Sequence, residues 1–507
     1  MTQQRVSIDN LIATQLPEQP ALSPDGGSIA YVLETTNRAQ DRDERTPVRK
    51  KALNAAHWQQ RLSELAAAHK VPGATLGILR LGEEPVLASH GVLNINTGVE
   101  TTEDSVFQIG SISKVWTATV IMQLVDEGKL DLDAPIIDVV PEFRVADAEV
   151  SKSVTMRHLL THTSGIDGDV FTDAGRGDDC LEKYVDALSK VKQNHPIGAT
   201  FSYCNSGFAL MGRVIEKLTG LSWDDALRDR LFKPLGLKHT VTLPEEALLH
   251  RAAAGHVGAD ENGPILAPMW SIPRSLGPAG IINASAADVL EFARMHIQAG
   301  LAADGTRILS AESAELMTTH QTDVPDPYVL GDSWGLGWIR FGWGGKRLYG
   351  HDGNTIGQAA FLRILPEDGI AVTLLTNGGN TRDLYIELYN EIFGELAEIS
   401  IPGSFGPPAE PYTGDMSPYL GTYERSSVVL EVFKKEEAVR MRRTVSGVVA
   451  ESMPNPVEEY ALTPVSDGLF ALRAPGTQGW LSLVFYALPT GEQYVHFGVR
   501  AAPRVAQ

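Results

Sequence analysis

Ser111 opens the tetrapeptide Ser-Ile-Ser-Lys, so Lys114 follows it by three residues, just past the apolar run Val106-Phe107-Gln108-Ile109-Gly110. A serine hydroxyl is a poor nucleophile until a base takes its proton, and side chains three apart on a helix meet closely enough for that transfer. From Lys114 to Gly128 the chain is apolar at Val115, Ala118, Ile121, Met122 and Val125, which predicts a helix with one buried face. Burial disfavours the ammonium form, so Lys114 would become a neutral amine able to act as a base. Ser111, at the start of that helix, would also feel the positive end of its dipole and have free backbone N–H groups beside it. The competing reading of such a serine is a plain helix cap. A second Ser-x-x-Lys, Ser189 to Lys192, sits in a polar stretch with no strand ahead of it and supports no chemistry.

Two further groups could complete a site. Tyr203-Cys204-Asn205 pairs a phenol, which can shuttle a proton, with an amide that can orient a lysine or a substrate carbonyl. Gly350-His351-Asp352-Gly353-Asn354 sets polar residues between glycines at a strand-like run, where a ligand can approach the backbone closely. His162 and Ser164 are too close in sequence for a triad and read as a turn network.

Taken together, the three elements resemble the serine β-lactamase and penicillin-binding-protein superfamily, in its class C branch with D-aminopeptidases, DD-carboxypeptidases and esterases. The order Ser-x-x-Lys, Tyr-x-Asn, Lys/His-x-Gly stands here at 111, 203 and 351, and the resemblance covers roughly residues 54 to 395. Between the motifs, Leu159 to Gly165, Phe232 to Leu237 and Gly277 to Ile282 look like further family segments. The resemblance implies Ser111 as the acylated nucleophile and Lys114 with Tyr203 as the proton-transfer pair. It implies Asn205 holding Lys114 and the substrate amide, and the backbone N–H groups of Ser111 and Asn354 as an oxyanion hole. His351 would complete the catalytic set, with Asp352 and Gly353 against the substrate. His351 departs from the lysine of β-lactamases. Near neutral pH a histidine is mostly uncharged, so recognition of a carboxylate is in doubt. Arg274 and Arg340 are the first other sources of a cation.

Competing chemistries leave no trace. The chain has no Gly-x-Ser-x-Gly, no His-Glu-x-x-His and neither glycine-rich phosphate motif, so no metal and no cofactor is expected. A net charge of −20 argues against nucleic acid and anionic membranes as partners. No run of eighteen apolar residues and no signal sequence at Met1 to Ser7 is visible, and the two cysteines, Cys180 and Cys204, suit a reducing compartment, so a cytoplasmic location is expected.

The 507 residues exceed one ordinary domain. Residues 1–52 read as an appendage, a propeller-like strand at Ala21 to Val32 followed by a charged linker from Thr36 to Lys51. Residues 53–400 read as a catalytic domain of α+β class, a helical subdomain beside an antiparallel sheet covered by helices. After the Pro402 to Pro411 linker, alternating runs over 412–507 predict a small antiparallel barrel resembling a lipocalin. The expected function is a serine hydrolase forming an acyl-enzyme on amide or ester bonds of small peptide-like substrates. Alternatives are an acyltransferase, transpeptidase or peptide cyclase using the same intermediate, a β-lactamase, or an inactive binding homologue. Self-association is left open.

Overall fold

The computed structural model describes residues 52–260, 263–447, 450, 455–473 and 479–505, together with the backbone of two short strands near the N-terminus. The chain divides into two compact units, 1–52 and 53–507. In the first, Ala21–Leu22 pairs antiparallel with Ile29–Ala30, a hairpin in place of the single expected strand. The charged linker expected at Thr36 to Lys51 lies outside the described residues.

The second unit is built on a nine-stranded sheet. Two of its inner strands, Ile370–Thr376 and Gly73–Arg80, are buried at every position, because both faces of the sheet are covered. Along the first of these, Val372 and Leu374 join one core while Ala371 and Leu375 join the other, as the period of two demands. On one face lie the helices Ala55–Ala68 and Thr381–Ala397. The former presents Trp58, Leu62 and Leu65 one turn apart and is capped by Asn54, whose side chain accepts from His57 N–H at 3.1 Å. The latter buries Leu384, Tyr385, Leu388, Tyr389 and Ile392.

The opposite face carries the helical subdomain. Its central helix, Ser113–Asp126, is buried at every residue through Leu124, not on one face as its apolar pattern predicts. The polar positions that suggested a wet face are satisfied internally. Thr117 donates to the Pro278 carbonyl at 2.9 Å and Thr119 to the Val115 carbonyl at 2.7 Å. Hydroxyls that bond to backbone oxygens can be buried, although the indole N–H of Trp116 on the same helix is buried with no hydrogen-bond partner.

The C-terminal segment forms two antiparallel sheets, Gly421–Arg425 to Val457–Ala461 in four strands and Thr463–Ser466 to Arg500–Pro503 in five. Their inner faces share a core that includes Leu430, Met441, Tyr460, Phe470, Leu483 and Val495. A bridge between Tyr423 and Arg504 joins them at one edge, but among the described residues no ladder closes into the expected barrel. Within the five-stranded sheet, Pro464, which has no N–H to donate, sits at a register shift in the pairing of Thr463–Ser466 with Leu469–Leu472. Among the described residues no helix is long and apolar enough to cross a membrane.

The last hairpin of this segment docks on the catalytic part. In the turn Phe497-Gly498-Val499-Arg500 both central residues have positive φ, 56° and 62°, the geometry of a tight hairpin with right-handed twist. A β-branched residue is rarely found there. Val499 is held by its surroundings. Its carbonyl accepts from Tyr203 N–H at 3.0 Å, and its side chain is buried against the core containing Phe201 and Tyr203.

Candidate active site

Ser111 lies in the single 3₁₀ turn Gly110–Ile112 that leads into the buried helix. Lys114, in the first turn of that helix, donates from Nζ to Ser111 Oγ at 2.9 Å and to the Ala279 carbonyl at 2.7 Å. The second partner comes from the Gly277–Gly280 turn, in place of Asn205, to which the sequence reading gave this task. Lys114 is fully buried. Burial first, and then the nearby Arg500 charge, push its pKa well below that of an ordinary lysine. Tyr203 is also buried and hydrogen-bonds Ser111. Burial raises its pKa and outweighs that hydrogen bond and Arg500, which act in the other direction. The opposed shifts leave both groups neutral: the amine has a free lone pair and the phenol keeps its proton.

The ring of Tyr203 is fixed from behind. His162 stacks on it at 4.4 Å between centroids, and His162 Nδ1 accepts from Cys204 N–H at 2.9 Å. Cys204 caps the helix Asn205–Thr219, its sulfur accepting from Gly207 N–H at 3.3 Å, and burial pushes its thiol up to about 12. It is therefore a neutral cap, not a reactive thiolate. Asn205, the first residue of that helix, lines the cleft.

His351 and Asp352 are adjacent on the strand Lys346–Asn354. His351 is buried, and burial above all pushes its pKa down to about 3, so the ring is neutral. Its Nδ1 contacts the Asp352 carbonyl at 2.6 Å. A carbonyl only accepts, so Nδ1 carries the proton and Nε2 is a bare lone pair. That Nε2 is buried and unpartnered in the wall of the cleft. The Asp352 carboxylate pairs with the buried Arg363 at 2.6 Å and with Arg382 at 3.3 Å. These cations hold its pKa low although burial alone would raise it. The Asp352 side chain is thus held in an internal ion pair, while the residue lines the cleft beside His351.

Gly353 lets the strand approach the turn that carries Ser111. A Cβ there would lie 1.8 Å from the Ile109 carbonyl oxygen, and one on Gly110, whose φ is +52°, would lie 2.5 Å from Asn354 N. The two glycines let the strand press against the turn that carries Ser111. Gly353→Ala is expected to force them apart. It should lower stability by about 1–3 kcal/mol, the usual cost of overpacking, and activity by about 10²-fold, the cost of a small misplacement. Thermal melts and kcat/KM on one preparation check both.

A feature invisible to the sequence reading is Arg500, from the docked hairpin. It lines the cleft of about 390 Å³ with Ser111, Tyr203, Asn205 and His351. Its guanidinium lies 5.3 Å from the Tyr203 ring centroid and pairs with Asp169 through two nitrogens, at 2.7 and 3.1 Å. Arg425 also reaches Asp169, at 2.8 Å. Burial alone would raise the Asp169 carboxyl, but these two cations hold it below the ordinary range. Arg274 and Arg340, the expected cations, are engaged elsewhere: Arg274 pairs with Asp224 and Asp178, and Arg340 bonds to Thr318 and Ser333. Arg500→Gln is expected to raise the Lys114 pKa by removing a nearby cation. The acid limb of kcat/KM against pH should then move to higher pH, and an unmoved limb would show that the two groups are uncoupled.

With this geometry in view, comparison with known proteins is decisive. The family model for beta-lactamases matches residues 58–392. The chain belongs to the beta-lactamase family. Penicillin-binding protein 4 of Amycolatopsis lactamdurans is 52% identical over 372 residues, 73% of this chain and 97% of that protein. The crystal structure of SurE is similar with a TM-score of 0.73 and 28% identity, covering 89% of this chain and 99% of SurE. SurE with D-Leu gives a TM-score of 0.70 at the same identity and coverage. A D-stereospecific amidohydrolase from Streptomyces sp. gives 0.54 at 26% identity, covering 68% of this chain and 99% of its own. The family's α+β fold is therefore the fold of this catalytic part, and its members and neighbours support an acyl-enzyme hydrolase.

Proposed function

We propose that this chain is a serine amidase or peptidase that acylates Ser111 with small peptide-like amides or esters, preferring D-configured residues. The observation that carries the reading is the buried, depressed-pKa Lys114 amine 2.9 Å from Ser111 Oγ. Lys114 takes the hydroxyl proton as Oγ bonds to the substrate carbonyl carbon. The resulting oxyanion is met by the N–H groups of Ser111 and Asn354, brought near each other by Gly110 and Gly353. Tyr203, a neutral phenol, gives its proton to the departing amine and takes back from Lys114, 4.8 Å from its ring centroid, the proton that Lys114 took from Ser111. Water, or an amine in a transfer reaction, then attacks the ester carbonyl and the steps reverse. Asn205 orients the substrate amide from the wall of the cleft. Asp352 serves the site indirectly, by fixing the strand and the His351 tautomer. The D preference is supported by the names of two neighbours, SurE with D-Leu and the D-stereospecific amidohydrolase.

The test is intact-mass spectrometry after a fluorophosphonate probe, with turnover of paired D- and L-amino amides. One adduct on Ser111 and faster D-amide turnover are expected. No adduct and no turnover of either series would defeat the reading.

His351 sharpens the substrate class. A neutral ring presenting a bare Nε2 can accept an N–H or O–H but cannot pair with a carboxylate. Blocked substrates should therefore outpace free acids, and penicillin turnover should be slow. His351→Lys should shift the preference toward free acids by about 1–3 kcal/mol, the scale of a charge-assisted hydrogen bond. The measurement is kcat/KM for amide-blocked and free-acid partners on both proteins. An unchanged ratio would mean that His351 does not face this part of the substrate.

A further inference from the structure

A cavity of about 290 Å³ adjoins the catalytic cleft across Phe171, Gly498 and Arg500, which line both spaces. It enters the C-terminal segment between its two sheets, where its walls are Val428, Leu430, Val445 and Ala502. The arginines that also line it have carboxylate partners: Arg500 and Arg425 share Asp169, Arg425 lies 4.0 Å from Asp167, and Arg443 pairs with Glu458. The niche thus sets an apolar wall against arginines that already hold carboxylates. At the shared boundary Phe171 is 37% exposed, an apolar ring left uncovered where the two spaces meet. Pockets of this make, mostly apolar with a few fixed polar groups, hold uncharged apolar ligands.

We infer that this niche is a second arm of the substrate site, taking a bulky uncharged side chain next to the reacting carbonyl of a peptide-like amide. The C-terminal segment is then a specificity element. Its hairpin sets Arg500 beside Tyr203, and its interior selects the substrate's apolar group. The inference rests on the acyl-enzyme reading for the bond that reacts, while occupancy of the niche can be read without any reaction.

The experiment is calorimetric binding of N-acetyl-D-phenylalaninamide and N-acetyl-D-alaninamide to the Ser111→Ala protein, with and without Val428→Phe, which fills the niche. The phenylalanine amide is expected to bind about tenfold more tightly, within the range for a pocket that gains or loses apolar groups. Val428→Phe should abolish that preference. Should Val428→Phe fail to fold, Ser111→Ala with Val445→Ala enlarges the niche and should favour a naphthylalanine amide over the phenylalanine one. Equal affinities for the first pair, a preference that survives the filled niche, or no gain from the enlarged one each overturn the inference. Failure of the acyl-enzyme reading looks different: wild-type protein gives no phosphonate adduct, yet the apolar preference in binding persists.

Discussion

Ser111→Ala is expected to abolish amide turnover and fluorophosphonate labelling while leaving the melting temperature close to that of the wild type. The residue stands at a turn, partly exposed in the cleft, and its hydroxyl bonds to Lys114 Nζ and to Tyr203. Removing one oxygen leaves the Gly110–Ile112 turn, the buried helix behind it and both glycine contacts in place. It also leaves Lys114 with the Ala279 carbonyl as a partner, so the neutral amine is not stranded. The chemical loss is of another order. Without a nucleophile there is no acyl-enzyme, and water must attack directly in a site arranged for a fixed hydroxyl. Removing a nucleophile elsewhere costs about 10⁶-fold in kcat, with a residue supplied by the oxyanion donors. Single-turnover assays on a folded Ser111→Ala protein check this. Turnover within about tenfold of wild type would exclude covalent catalysis through Ser111.

Why some of this site is legible from the chain and some is not follows from how each part is held. Ser111 and Lys114 are three residues apart, so helical geometry alone brings them together. The strands Gly73–Arg80 and Ile370–Thr376 are mostly apolar, with Thr75, Arg80, Thr373 and Thr376 the exceptions, because both their faces are covered. Lys114's second partner is a backbone carbonyl, and no residue type at position 279 signals that. The sequence shows Asp352 beside a motif histidine and Arg363 in an apolar strand, but that they form one buried pair depends on strand register, Asp352 standing opposite Phe361 and Gly350 opposite Arg363. Arg500 is nearly 400 residues from Ser111, in a segment whose strand pattern says nothing of where it docks. What might have drawn attention is Phe497-Gly498-Val499-Arg500, a short turn between two strand-like runs with an arginine at its exit.

That remote contribution changes the electrostatics of the catalytic pair. Two arginines, Arg425 and Arg500, arrive from the C-terminal segment beside Asp169 of the catalytic part. Asp167 lies at the margin of the same cluster, 4.0 Å from Arg425, and accepts from Ser426 N–H at 3.2 Å. The charges nearly cancel over the cluster as a whole. Locally they do not, because it is the Arg500 charge that acts on Lys114 and on Tyr203. A cation near the base lowers its pKa, and the same cation near the phenol makes its proton easier to release. Both effects favour the proton path from Ser111 to the leaving group.

Lys114→Met tests the base itself and has the second-largest expected effect. Activity should fall by at least about 10²–10⁴-fold, the range for losing a positioned general base, because no neighbouring group can replace it. Tyr203 is held protonated by burial, and burial makes His351 a weak base, its pKa pushed down to about 3. The stability change carries an independent signature. An unfolded lysine titrates near 10.4, whereas the folded Lys114 titrates well below that. Between the two values the unfolded chain binds more protons, so wild-type stability rises with pH across that window. Methionine has no such dependence. The melting temperature of Lys114→Met relative to wild type should therefore be most favourable at the lowest pH of the window and decline steadily as pH approaches 10. The Ala279 carbonyl left without its donor lowers the variant's stability by about 1–3 kcal/mol at every pH, which offsets the whole curve without changing its slope. Melts from pH 6 to 10 on both proteins, beside their kcat/KM, give the two readouts. A difference in melting temperature that stays flat over that range would mean Lys114 is an ordinary ammonium in the resting protein. The proton of Ser111 would then have to leave by another route.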